Sequence, residues 1–183
     1  MVALHTPNAD IGWKAKDFKL KGVDGKTYSL KDVKGENGLV VMFICNHCPY
    51  VKAIMEKLIL EAASLRSIGV GVVAINSNDA DAYPEDSFEN MQKLADERMF
   101  NFPYLYDEKQ EVAKAYDAVC TPDFFGFDAG LGLQYRGRLD DSGMTEKVGG
   151  KRELFEAMKI LVETGQTPAS QVASIGCSIK WRA

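Results

Sequence analysis

A chain of 183 residues, 46% hydrophobic and 26% charged, has the size and composition of one globular domain with a sizeable core. Its net charge of −4, with both signs mixed along the chain, offers no basic patch for nucleic acid or an anionic membrane surface, and no apolar run approaches a membrane span. Four cysteines, two of them in Cys45-x-x-Cys48, are too few and too clustered for a disulfide scaffold and point to catalysis or metal.

Met1 to Asp10 lacks a basic segment followed by an apolar core, so no secretory signal is read there and a cytoplasmic location is expected. His5 falls in this stretch, which is expected to be mobile. From Asp17 to Leu30 the alternation of Phe18 and Leu20 with lysines, the Asp24-Gly25 turn and Thr27-Tyr28 predict a β-hairpin. Asp32 to Gly38 reads as a polar loop. Leu39 to Ile44 is a continuous, β-branched apolar run, as in a strand buried on both faces. Val51, Ile54, Met55, Leu58, Ala62, Leu65 and Ile68 then follow the 3.6-residue period of an amphipathic helix, which Gly69 stops. Val70 to Ile75 is a second apolar strand, so the unit is a right-handed βαβ crossover with parallel strands.

Asn76 to Pro84 is expected to be a solvated turn, although Asn76 and Asn78 leave the carboxyl end of a strand, where α/β sheets gather their chemistry. Ser87 to Met99 predicts a helix with Met91 in the core, and Phe102 to Tyr106 a short edge strand. Asp107 with Gln110 resembles a capping box for a helix running through Tyr116. Phe124 to Phe127 and Leu133 to Leu139 predict an antiparallel pair, and aromatic residues such as Phe124 and Phe125 on an edge would allow a homodimer. Lys151 to Thr164 is a last amphipathic helix ended by Gly165, and the tail from Ala169 carries Cys177. Without repeat or linker, 1–183 reads as a single domain.

The cysteines sit on the turn that opens the first long helix, with Pro49 tolerated in its first turn. A thiol there faces unpaired backbone N–H groups and the positive end of the helix dipole, and both favour thiolate. Cys45, as the outer cysteine, is expected to attack, Cys48 to resolve the mixed disulfide, and His47 to lower the Cys45 pKa further. Cys120 reads as a buried small hydrophobe, with a third thiol or a metal ligand as the alternatives. Cys177 reads as an extra resolving thiol, an inert buried one or an intersubunit crosslink.

Strand, helix, strand, a helical insert, then two strands and a helix, with C-x-x-C at the first strand-to-helix turn, is the thioredoxin-fold order. The chain resembles peroxiredoxin-like redoxins of the alkyl hydroperoxide reductase/thiol-specific antioxidant group. The resemblance rests on Asp17-Phe18-x-Leu20, Val41 through Val51, Ala74-Ile75-Asn76-Ser77-Asn78, Cys120-Thr121-Pro122-Asp123-x-Phe125, Tyr135 through Asp141 and Gly176 through Trp181. It implies a three-layer α/β/α domain with a central mixed sheet, an N-terminal β-hairpin and an inserted helix. It also implies a cis-proline at Pro122 opposite the cysteines, with Thr121 free to pair with an extended partner and Asn46 and Pro49 flanking it. Two departures matter. Leu39 stands where thioredoxins carry a buried acid, and Cys45 stands at the peroxiredoxin threonine, with Cys48 at the peroxidatic position and no proline upstream.

The leading expectation is a thiol–disulfide oxidoreductase acting on a protein or small-molecule disulfide or thiol, without cofactor. A histidine before the second cysteine resembles protein disulfide isomerase and the periplasmic dithiol oxidase, which implies a disulfide more oxidising than that of thioredoxin. The alternatives are a thiol peroxidase reducing peroxides, with Arg136 or Arg138 as its guanidinium, and a copper-binding module using Cys45, Cys48 and His47 or Cys120.

Overall fold

A computed structural model describes residues 3–145 and 150–183. Its elements in chain order are β1 (Ala3–His5), β2 (Lys19–Gly22), β3 (Thr27–Ser29), α1 (Leu30–Val33), β4 (Gly38–Phe43), α2 (Pro49–Ser67) and β5 (Val70–Asn76). A 3-10 turn (Pro84–Asp86) leads to α3 (Phe88–Glu97), β6 (Tyr104–Tyr106), α4 (Glu111–Ala115), β7 (Cys120–Thr121), β8 (Asp123–Asp128), β9 (Leu133–Gly137), α5 (Glu153–Thr164) and β10 (Ile175–Ser178). Among the described residues no helix is long and apolar enough to cross a membrane.

A seven-stranded mixed sheet of order β3-β2-β6-β5-β4-β8-β9 forms the middle layer. β4, β5 and β6 run parallel, whereas β2 and β3 at one side and β8 and β9 at the other pair antiparallel. The period-2 geometry of a strand explains why β4 is wholly apolar. Val40 and Met42 face the layer that holds α2, α3 and α5, while Leu39, Val41 and Phe43 face α1 and α4. On α2 the stripe from Val51 through Leu65 is buried, each large apolar side chain contributing roughly 1.5–3 kcal/mol relative to exposure. The helix ends as its sequence predicts, with Gly69 at φ +78°.

Several expectations change. Residues 30–33 form a helical turn instead of extending the strand into a loop, because Asp32 accepts from both the backbone and the hydroxyl of Ser29. β6 is no edge strand, since β2 pairs along its outer side. Phe124 and Phe125 are core residues of β8, which lies between β4 and β9, so they offer no aromatic edge for a dimer. Asp107 caps α4 by accepting from the amides of Val112 and Ala113, while Gln110 reaches back to the carbonyls of Ser77 and Lys180. His5 is paired in β1 opposite Ile175, in a second small sheet of order β1-β10-β7.

Candidate active site

β4 delivers Cys45 to the carboxyl end of the sheet, and residues 45–48 turn the chain into α2. Cys48 is the residue capping α2, with extended backbone (φ −65°, ψ 123°), and Pro49 occupies the first turn, exposed. The Thr121–Pro122 bond is cis, as the resemblance implied. Thr121 stands over both sulfurs: its Oγ1 is 3.3 Å from Cys45 Sγ, and its carbonyl accepts from Cys48 Sγ at 3.2 Å. Cys177 Sγ lies 2.9 Å from Cys48 Sγ.

On the other side of Cys45 is a group that sequence reading missed. Asp86, fully buried, places Oδ2 2.5 Å from His47 Nδ1. It also accepts from the Asn46 amide (2.6 Å), Asn78 Nδ2 (2.8 Å) and Asn76 Nδ2 (3.4 Å). Asn76 and Asn78 are therefore not solvated turn residues: they are buried and hold the carboxylate in place. The Asn46 side chain is also spent internally, donating to the Glu85 carbonyl and accepting from the Tyr104 hydroxyl. Tyr83 stacks on the His47 ring with centroids 5.5 Å apart. The only local hint of Asp86 is an acid following the Asn-x-Asn stretch at the carboxyl end of β5.

The surroundings of the two thiols favour Cys48 as the thiolate, where the sequence pointed to Cys45. The Cys45 thiol, then Cys177 and the Val51 amide, hold Cys48 down to about 5 against the opposing effect of burial. Cys45 is pushed well above the ordinary thiol value by the neighbouring Cys48, by burial and by the Asp86 carboxylate, with Thr121 opposing. Cys48 caps α2 and receives the Val51 amide of its first turn, and the imidazole beside Cys45 is bonded to Asp86. Burial first, then the bond to Cys48, pushes Cys177 up to about 12. Cys120 is raised to about 12 mainly by burial, which suits an inert thiol.

One imidazole nitrogen of His47, Cys45 Sγ and an Asp86 oxygen all lie within 4.8 Å of one another. This donor set is of the kind zinc or copper accepts. Arg136 is not brought to the cysteines. It packs on Phe125, in the layer opposite α2, and bonds Asp123 and the Asp117 carbonyl. Arg138 forks onto Glu153. Thr121 does not present an open strand edge either, because β7 pairs there with β10, Thr121 opposite Cys177.

Residues 11–138 match the sequence profile of the AhpC/TSA family. Thioredoxin-like protein YneN of Bacillus subtilis (strain 168) is 35% identical over 119 residues, 64% of this chain and 65% of that protein. The chain thus spans somewhat less than two-thirds of that curated relative. An uncharacterized conserved protein from Geobacillus kaustophilus is 50% identical and superposes with a TM-score of 0.94, covering 100% of this chain and 97% of that one. The thioredoxin domain of a thiol-disulfide oxidoreductase from Bacteroides vulgatus, 16% identical, superposes with a TM-score of 0.62 over 85% of this chain and 99% of that one, which identifies the thioredoxin fold.

Proposed function

The chain belongs to the AhpC/TSA family, and from that premise we propose that it is a thiol–disulfide oxidoreductase working through Cys45 and Cys48. The observation that carries this reading is the pair of sulfurs under Thr121, one of them held acidic at the amino end of a 19-residue helix. The Cys48 thiolate attacks one sulfur of a partner disulfide, forming a mixed disulfide and releasing a thiolate that takes a proton from solvent. Cys45 then gives its proton to His47, oriented by Asp86, and attacks Cys48 Sγ. A Cys45–Cys48 disulfide forms as the second partner thiol leaves; an external dithiol reverses the sequence.

Turnover of insulin and of a small disulfide by wild type, Cys45→Ser and Cys48→Ser tests this reading. Disulfide turnover should vanish in Cys48→Ser, which lacks the attacking sulfur, and fall sharply in Cys45→Ser, which lacks the resolving one. A second reading, reduction of peroxide by Cys48, is supported by the family and by the acidity of that sulfur. It is weakened by Arg136, which is held on Asp123 and the Asp117 carbonyl. Rapid peroxide consumption retained by Cys45→Ser would favour it.

A further inference from the structure

We propose that β10 is a tethered partner strand and Cys177 a third redox thiol, so that Cys48 alternates between a disulfide with Cys45 and one with Cys177. This rests on the oxidoreductase reading of the same site. The sulfurs of Cys48 and Cys177, 129 positions apart in sequence, are 2.9 Å from each other. Cys177 is also the antiparallel partner of Thr121, the residue before the cis-proline, so β10 lies along the edge where an incoming extended chain would pair. The chain presents to its own site a strand carrying a cysteine, in the place of a partner's.

The seating is specific. A Cβ on Gly176 would fall 2.0 Å from the Thr121 carbonyl oxygen, so only glycine lets the strand approach this closely. Ser174 Oγ bonds the Pro122 carbonyl, and the Lys180 amide donates to Asn78 Oδ1, one of the residues holding Asp86. Lys180 Nζ lies over Tyr83, itself stacked on His47. Cys45 and Cys48 are 1% and 0% exposed, so an external chain reaches the Thr121 edge only by displacing this strand.

The exchange is an isomerisation with no net oxidation. Cys177, deprotonated, attacks Cys48 Sγ of the Cys45–Cys48 disulfide. The Cys48–Cys177 bond forms, the Cys45–Cys48 bond breaks with its electron pair going to Cys45, and Cys45 takes up the proton that Cys177 lost. Two things favour loss of that proton: Cys48 ceases to be a thiolate once oxidised, and the Lys180 ammonium stands nearby.

The test uses oxidised glutathione as the disulfide. Cys45→Ser protein should first take glutathione onto Cys48, then release it as Cys177 attacks, losing two thiols and linking tryptic fragments 35–52 and 160–180. Cys45→Ser/Cys177→Ser should stop at the glutathione adduct. Gly176→Val, introduced into Cys45→Ser, keeps both thiols but cannot seat the strand, and should lower the linked fraction at least about tenfold through lost proximity. Circular dichroism of each variant separates misseating from unfolding. A stable adduct in Cys45→Ser, a link from Cys48 to Cys120, or undiminished linking in folded Gly176→Val protein would each overturn the proposal while leaving the oxidoreductase reading intact. Absence of any adduct, in wild type as well as in the variants, would overturn both.

Discussion

The imidazole of His47 meets the carboxylate of Asp86 at 2.5 Å, across 39 positions of sequence. This chain has Leu39 in the strand before its cysteines, and the buried acid beside Cys45, Asp86, comes from the turn preceding α3. It stands beside Cys45, with three other donors holding it.

Asp86→Asn keeps the shape and removes the charge. Disulfide turnover should fall at least about 100-fold if His47 accepts the Cys45 proton, and stability by roughly 1–3 kcal/mol for the disturbed buried network. The Cys45 pKa should fall, because the carboxylate is one cause of its rise. A purely structural role would lower stability without moving that titration.

Stabilising the reduced thiolate makes the disulfide more oxidising. With Cys48 held near 5, the Cys45–Cys48 couple should have a midpoint between about −230 and −150 mV in a glutathione titration. A value below that of thioredoxin, about −270 mV, contradicts the assignment.

Arg136 and Asp123 form a buried ion pair, 5% and 0% exposed, in the layer away from α2. Arg136→Leu leaves Asp123 uncompensated and should cost about 3–5 kcal/mol in urea unfolding. Burial outweighs the arginine and lifts Asp123 from 3.8 to about 6. Its contribution to stability is therefore full below 3.8 and lost as pH rises through about 6. Removing the arginine enlarges that upward shift, so the variant's deficit should be greater at about pH 8 than at about pH 5. Any protein that stays folded should retain disulfide turnover.

What could be read from the sequence was what neighbours along the chain decide. The apolar run of β4, the stripe of α2, the glycine that stops it and the placing of Cys45 and Cys48 on the turn between them follow from periodicity and capping. Other features depend on how distant segments meet. Whether β6 lies at an edge depends on β2, some 80 positions upstream. Asn76 and Asn78 carry the composition of a solvated turn, and only the arrival of Asp86 makes them buried partners. The helix amino end points to a thiolate, yet which of Cys45 and Cys48 is favoured turns first on the hydrogen bond between the two, and beyond it on Asp86 and Cys177, neither readable from C-x-x-C. β10 is four residues with two polar or glycine positions, too short and mixed to announce a strand.

Titration of thiolate ultraviolet absorbance in the fully reduced protein tests the central claim most directly, since it does not require a reagent to reach buried sulfurs. One thiolate should appear with a midpoint near 5, and that step should be missing from Cys48→Ser but present in Cys177→Ser, shifted upward by loss of the neighbouring thiol. Absorbance that stays flat until the ordinary cysteine range of about 8.5, or an early step that vanishes only with Cys45, would contradict the account.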